Sequence, residues 1–337
     1  MRIAVEAWSP EYGGEVDLGL PEDLTTENVD VACETDRWAP IVPDGAGDTA
    51  APVAFIDGTR RLDARVFVTG DNGDAPVMGV AGSVGVGSVI CHWAPWASNG
   101  HRRRSRWAAG PAEVRELRIA RFLAVGAGVD AALSCGAGLE YRSLPVPTSS
   151  YDGLVAAVHN QMRAREAMLA LELADSGLLA FVDGPLALQS PGPQRVLGFI
   201  KAHHKRYLQA EEESLLGRLS CGERTPLFAF GEQRPRYSFY LRLCKLDRGA
   251  HSWHGIVRCE IPAQVGVDAA VELADTAARV LPSFASLPYW DARAPQNLVP
   301  VAGLEKRLRH LLGDRELVYR MIRSAAAKAS SAEALAP

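Results

Sequence analysis

The sequence lacks most of the features that would settle its class at a glance. Its six cysteines (Cys33, Cys91, Cys135, Cys221, Cys244 and Cys259) are scattered over 337 residues with no C-x-x-C pair. That usage fits reduced thiols in a cytoplasmic protein and not a disulfide frame. No apolar run approaches the ~18 residues needed to span a bilayer, so no membrane segment is expected. The opening "MRIAVEAW" has no basic stretch followed by an apolar one, so no secretory signal is expected. A basic excess is missing too. The formal net charge is −4, which does not advertise nucleic-acid binding, although an acidic protein can carry a local basic groove.

A hydrophobic content of 47% supports a sizeable core, and the length suits one large domain or two ordinary ones. Charge is uneven. Residues 1–50 hold twelve Asp/Glu against Arg2 and Arg37, so the remainder is net basic. That acidic stretch, broken by Pro and Gly, reads as an arm of irregular strands. It suits docking to a basic partner face or simple strand addition. The main domain is expected over 51–323, and residues 324–337 read as a disordered tail.

β-type segments follow the arm: "PVAFIDG", "RLDARVFVTG" and "VMGVAGSVGVGSVI", with Asn72-Gly73 suited to a turn. Gly79, Gly82, Gly85 and Gly87 resemble a phosphate-binding loop only superficially. They alternate with Val80, Val84, Val86 and Val89, which fits a twisted strand and not a strand-to-helix turn. "HRRRSRW" at 101–107 is a basic loop, either a solvated turn or a phosphate contact through Arg103 and Arg104. Trp93, Trp96 and Trp107 flank it, and either stack on bases or pack beneath the loop.

Residues 149–177 form the clearest helix. Ser149 and Asp152 suit a capping box, Gly177 suits the stop, and Val155, Val158, Met162, Leu169 and Leu173 make one apolar stripe. Glu166 falls within that stripe; Glu172 lies on the opposite shoulder. "RYSFYLRLC" and "GIVRCEIPA" read as paired strands, in which Arg236 and Arg242 either contact phosphate or line a solvated edge. Helices are expected around 267–281 and 300–323. Adjacent His203 and His204 point apart on a regular element. His251, His254 and Cys259 lack a fourth ligand at zinc-site spacing.

Two strands end alike: "AFIDG" on Asp57 and "AFVDG" on Asp183. One Asp-Gly is ordinary turn chemistry. Two matched strand ends, with Glu166 on the helix between them, are a different matter. Three carboxylates at one sheet rim repel one another unless a cation is present, and hard oxygens suit Mg²⁺ or Mn²⁺. Two such ions activate a water and stabilise the leaving oxygen of a phosphodiester. The strand–helix–strand order of acids is that of ribonuclease-H-like nucleases. Lys201, after "GFI", either faces the phosphate or is a surface lysine at a strand end.

The chain resembles the NurA nucleases. The resemblance is carried by "FIDG" at Asp57, the helix glutamate seventeen residues before the second acid, "FVDGPL" at Asp183, "GFIK" at Lys201 and "RYSFYLRL". "EAWSPEYG" near the start and "DARAPQNLVPVAGLEKRLRHLLGD" near the end add to it, so it spans nearly the whole chain. It implies an α/β fold with a ribonuclease-H-like core, a mixed sheet flanked by helices, an N-terminal acidic arm and C-terminal helices. It also implies DNA cleavage with Mn²⁺ or Mg²⁺, a homodimer, and a HerA-type hexameric ATPase as partner, in DNA repair or phage defence. Asp57, Glu166 and Asp183 match the family's metal ligands, with Glu172 the alternative helix acid, and Lys201 matches its basic position. One departure stands out. Archaeal members carry Tyr and His near the C-terminal end, whereas "LPYWDARAPQNLVP" offers Tyr289 and no His, leaving Gln296 or Asn297 to face the site.

Overall fold

The computed structural model describes residues 2–5, 29–43, 51–70, 75–93, 109–186, 195–203, 205–231, 234–246 and 251–334. Asn72-Gly73, the basic loop with Arg103 and Arg104, Trp96, Trp107 and His204 lie outside the described residues. Among the described residues no helix is long and apolar enough to cross a membrane.

The chain builds a mixed α/β fold around one large mixed sheet flanked by helices. β1 (Arg2–Val5) is short, whereas β2 (Val53–Thr69), β3 (Val77–Trp93) and β4 (Ala109–Val125) are each 17 residues long. At the usual strand rise each spans about 55 Å. They pair antiparallel as a meander, so the Gly79–Gly87 series sits inside a strand, as its alternation predicts. Those glycines let helices lie close to the sheet. A β-carbon on Gly82 would overlap Val158, and one on Gly87 would meet Leu117 and Leu304.

β5 (Leu133–Ser134) and β6 (Glu140–Pro145) extend the sheet beyond β4. On the other side come β7 (Leu179–Asp183) and β8 (Val196–Ile200), both parallel to β2. β11 (Ile256–Pro262), β10 (Arg236–Arg242) and β9 (Phe228–Phe230) complete it, antiparallel to one another. The predicted pairing of 236–244 with 255–263 is this β10–β11 hairpin.

α1 (Tyr151–Asp175) crosses one face and buries Val155, Val158, Met162, Glu166, Leu169 and Leu173, the predicted stripe. Its N-cap is Ser150, not Ser149, and the Ser150 hydroxyl accepts from the Gly153 N–H. Gly177, at φ +89°, follows its end as expected. The other face carries α3 (Val267–Val280) and α4 (Val299–Leu311) over a core of Val53, Phe55, Phe181, Phe239, Leu304 and Leu308. Just after the short α2 (Ala210–Glu213), Leu215 and Leu216 pack with Tyr207, Phe228, Phe230 and Tyr240 against β9 and β10.

Three expectations about chain organisation are corrected. Residues 29–43 are woven into the domain: Asp30 bridges to Ala229, Ile41 bridges to Arg224, and Glu34 pairs with the buried Arg224 at 2.8 Å. A free acidic arm would leave that guanidinium with Asp275 as its one charge partner among the described residues. The helix expected over 300–323 is two helices, because Gly313 at φ +85° separates α4 from α5 (Arg315–Ala334). α5 then runs through most of the stretch read as a disordered tail, and Val318, Ile322 and Ala326 are buried against the sheet.

A bulge in β2 changes which residues face which helix. The register with β3 slips between Leu62 and Ala64, making Asp63 the extra residue. Before it, Ala54, Ile56 and Leu62 face α1; after it, Ala64, Val66 and Val68 join the α5 core on the opposite face. Asp63 is buried but satisfied, accepting from Arg61 Nε (2.6 Å), Ser83 Oγ (2.5 Å) and Tyr141 Oη (2.8 Å). Arg61 also donates to the carbonyls of Leu312 and Gly313, closing the C-terminal end of α4.

Candidate active site

The site sits where two strands part. β2 and β7 run parallel in register from Val53↔Leu179 to Ile56↔Val182, so Asp57 and Asp183 come next, side by side. Both follow the parity of Phe55 and Phe181, which places them on the α4 face. β7 pairs with β2 no further, and β1 takes the same edge of β2 only from Val66. Among the described residues, no strand pairs with that edge of β2 over residues 57–65. The Gly58 N–H at its start donates to Asp57 Oδ1 at 2.8 Å.

Glu166 approaches from the other face. Gly58 makes this possible, because a β-carbon there would collide with Glu166 Oε1 and Met162 Cγ. The Glu166 carboxylate is 2% exposed. Its Oε2 has no hydrogen-bond partner, and Arg163 Nε stands 3.7 Å away. Burial pushes Glu166 up to about 8; Arg163 opposes this, Asp183 adds to it, and the Gly58 N–H opposes it. Burial also pushes Asp57 well above the usual carboxylate range, reinforced by Asp183 and Glu166 and opposed by Lys201. Asp183 is raised by burial and held down by Lys201. The three acids thus share one electrostatic neighbourhood. Among the described residues, however, no three His, Cys, Asp or Glu side chains are gathered as a ready metal cage. The physical reason is their placement: two acids lie on one face and the third on the other, with Lys201 paired to Asp183 and Arg163 beside Glu166.

Lys201 Nζ is 2.5 Å from Asp183 Oδ2 and 3.0 Å from Asn297 Oδ1. Asn297, fully buried, passes the contact on by donating from Nδ2 to Asp291 Oδ2 at 2.5 Å. Of the two candidates for the C-terminal position, Asn297 is the one linked to Lys201. Tyr289 is 74% exposed and packs on Trp290.

The residue reading missed Glu305 and Arg163. Glu305, on α4 beside the buried Leu304, raises both Asp57 and Asp183 and pairs with Arg293 at 2.8 Å. Arg163, one turn before Glu166, also donates to the Pro185 carbonyl after the second Asp-Gly. Its i,i+3 spacing to a stripe acid was the available signal.

Other candidates fall away from the site. Glu172 is an exposed partner of Arg118, at 2.5 and 3.0 Å. Arg242 is corrected as a DNA contact: it is fully buried and donates to the carbonyls of Leu216, Ser252 and His254. Arg236 is likewise committed, to Glu260 at 2.6 Å and to the Leu186 carbonyl. Both sit on β10, whose charges balance the interior. His203 meets the Ile256 carbonyl, and Cys259 is buried in the core.

A scan against protein-family models finds no match to this chain, and a search of the curated proteins finds no relative.

Proposed function

We propose that the protein is a metal-dependent DNA nuclease with a ribonuclease-H-like core, hydrolysing phosphodiester bonds at Asp57, Glu166 and Asp183. The observation that carries this reading is the Asp57–Asp183 pair on adjacent parallel strands, at the point where β7 ends beside β2, with Glu166 buried beneath Gly58 and its Oε2 without a hydrogen-bond partner. Like charges gathered in a buried place are costly without a cation, and each acid's raised proton affinity reflects that cost.

The donor set suits Mn²⁺ or Mg²⁺: carboxylate oxygens with no thiolate or imidazole among them. Bound there, such an ion would polarise a phosphoryl oxygen and make water a nucleophile near neutral pH. Asp57 and Asp183 would hold it from one face and Glu166 from the other. Lys201 would stay beside Asp183, orienting that carboxylate through its second contact to Asn297 and offering positive charge towards the phosphate.

By resemblance, the partner is a HerA-type hexameric ATPase that translocates DNA, with the nuclease a cytoplasmic homodimer in DNA repair or phage defence. A second reading, a catalytically weak subunit that grips DNA on the motor, is favoured by one observation: the three acids are not gathered into one cage. Cleavage of linear DNA with Mn²⁺ decides between them. Wild type is expected to cut and Asp57→Ala and Asp183→Ala to fail. Equal cutting by all three removes the assignment, and no cutting with any divalent ion favours the second reading.

A further inference from the structure

The chain turns sharply after Asp183. Gly184, at φ +99°, takes it out of β7, and the Gly184 N–H donates to the Phe199 carbonyl at 2.8 Å. The turn lies directly over Gly198 of β8. A β-carbon on Gly198 would come within 2.9 Å of the Gly184 carbonyl oxygen and 3.0 Å of Leu186 Cγ. The β7–β8 ladder ends at Asp183, so the buried Leu186 needs partners from elsewhere for its backbone N–H and C=O. One ion pair supplies both. Glu260 Oε2 accepts from the Leu186 N–H at 3.2 Å, and Arg236 Nη2 donates to the Leu186 carbonyl at 2.5 Å. Arg236 Nη1 closes the ring on the same Glu260 oxygen at 2.6 Å.

Sheet register explains the reach. Glu260 stands opposite Gly198, the one β8 position with no side chain in the way. Arg236 shares its face, two residues along β10 from Ser238, which stands opposite Glu260. Arg258, two residues before Glu260, holds Oε1 at 2.7 Å and stacks on the Tyr207 ring at 4.4 Å. Burial would raise Glu260, but Arg258 and Arg236 hold it below the usual carboxylate range, so it is ionised and accepts only. Two cations thus surround one buried anion. Apolar side chains of similar volume often replace such a group at no loss of stability. Stability alone therefore does not account for it. What an apolar set lacks is the means to fix where one peptide sits.

We propose that the Arg236–Glu260 pair positions the Asp183 carboxylate for a divalent cation, by clamping the turn at 184–186. The inference rests on the metal-dependent reading of the acids. Arg236 and Glu260 are positioning residues, acting through the Leu186 backbone three residues beyond the carboxylate. Arg163 adds a hold from the α1 side through the Pro185 carbonyl. The Gly184–Phe199 bond references the same turn to β8, two residues before Lys201, the partner of Asp183. A metal ligand has to be held within about 0.5 Å, which a strand end followed by an unheld turn does not provide.

The test is Mn²⁺ binding to the purified protein, followed by loss of the free-ion electron paramagnetic resonance signal, with a urea midpoint for each variant. No DNA is present, so the readout is independent of cleavage. Arg236→Lys keeps the charge but lacks the planar fork that meets Glu260 and the Leu186 carbonyl together. It is expected to weaken Mn²⁺ binding about tenfold, the lower end of what the partners behind a metal ligand contribute. Arg236→Met should weaken it at least as much. The direction is diagnostic, because deleting a cation near three acids would by charge alone tighten Mn²⁺ binding. Arg242→Met, on the same strand, gives up the carbonyls of Leu216, Ser252 and His254. It should lower the urea midpoint and leave Mn²⁺ affinity unchanged. Wild-type affinity in Arg236→Lys overturns the clamp, as does an equal loss in Arg242→Met; either result leaves the nuclease reading standing. Weakened Mn²⁺ binding in the Arg236 variants, alongside a wild type that binds Mn²⁺ and never cuts DNA, supports the clamp and sinks the nuclease reading alone. A wild type that takes up no Mn²⁺ removes both.

Discussion

Glu166 Oε1 occupies the space that a β-carbon on Gly58 would fill. Glycine at that position is therefore a steric requirement of the helix acid and not only a turn signal. Gly58→Ala should force the Glu166 side chain and Met162 outward and destabilise the fold by about 1–3 kcal/mol, the usual cost of overpacking. Chemical denaturation measures the loss. Cleavage should fall further than stability alone explains, and a double variant with Met162→Ala should restore part of the stability but not the activity.

Stability should decline as pH rises from about 4.5 to about 8. Glu166 has a folded value of about 8 against an ordinary 4.5, so the folded protein keeps a proton that the unfolded chain releases. Its contribution is fully present below the unfolded value and is lost as pH rises through the folded one. Asp57 and Asp183, also raised, act in the same direction. Unfolding free energies at pH 5 and pH 9 should differ by a few kcal/mol, at about 1.4 kcal/mol for each tenfold difference in proton affinity between folded and unfolded chains. Urea titrations at the two pH values measure it. Glu166→Gln should flatten the profile; an unchanged profile in that variant contradicts the buried-acid account.

Asn297 bridges Lys201 and Asp291 from a fully buried position. Asn297→Ala should cost about 1–3 kcal/mol, because Lys201 and Asp291 each lose a hydrogen-bond partner. Lys201 should then be held by Asp183 alone. The expected signature is a fall in kcat larger than any change in KM, with Asn297→Asp failing to rescue it.

Glu34 and Arg224 tie residues 29–43 to α3, since Arg224 also pairs with Asp275 at 2.6 Å. Glu34→Ala leaves a buried guanidinium half-compensated and should destabilise by about 3–5 kcal/mol. A melting temperature equal to wild type would return the segment to the status of a loose arm.

Arg242→Met should leave the salt dependence of DNA binding untouched while lowering the melting temperature, because three carbonyls lose their donor. A reduced salt slope in that variant would show that the guanidinium reaches phosphate after all.

The legible parts of the fold were those governed by local periodicity. The stripe on α1, the glycine alternation in β3 and the hairpin of β10 with β11 all follow from side-chain parity within one segment. The Asp57–Asp183 juxtaposition was legible because parallel strands carrying the same Asp-Gly bring the same atoms level, but the expectation that both strands end there is corrected: β7 ends on Asp183, whereas β2 continues through Asp57 to Thr69. Tertiary exchange was hidden. Nothing local distinguishes the surface glutamate Glu172 from Glu305, whose placement depends on α4 crossing two strands far away in sequence. Arg242 and Arg236 read as surface cations because arginine usually is one; here they neutralise carbonyls and a carboxylate inside the sheet's far lobe. The acidic run at 1–50 misled for the same reason, since Glu34 is acidic on account of a partner 190 residues later.

The outer half of the β2–β4 ribbon is covered by β1 and by α5, through Ile3, Val318, Ile322 and Ala326. α5 is the last of these elements to leave the ribosome. Until it does, a nascent chain carries Ala64, Val66, Val68, Ala81 and Leu123 beneath no helix, on strands already long enough to pair with a neighbour's. Chaperone dependence and aggregation during overexpression should therefore track the integrity of α5 more closely than any change at the acids.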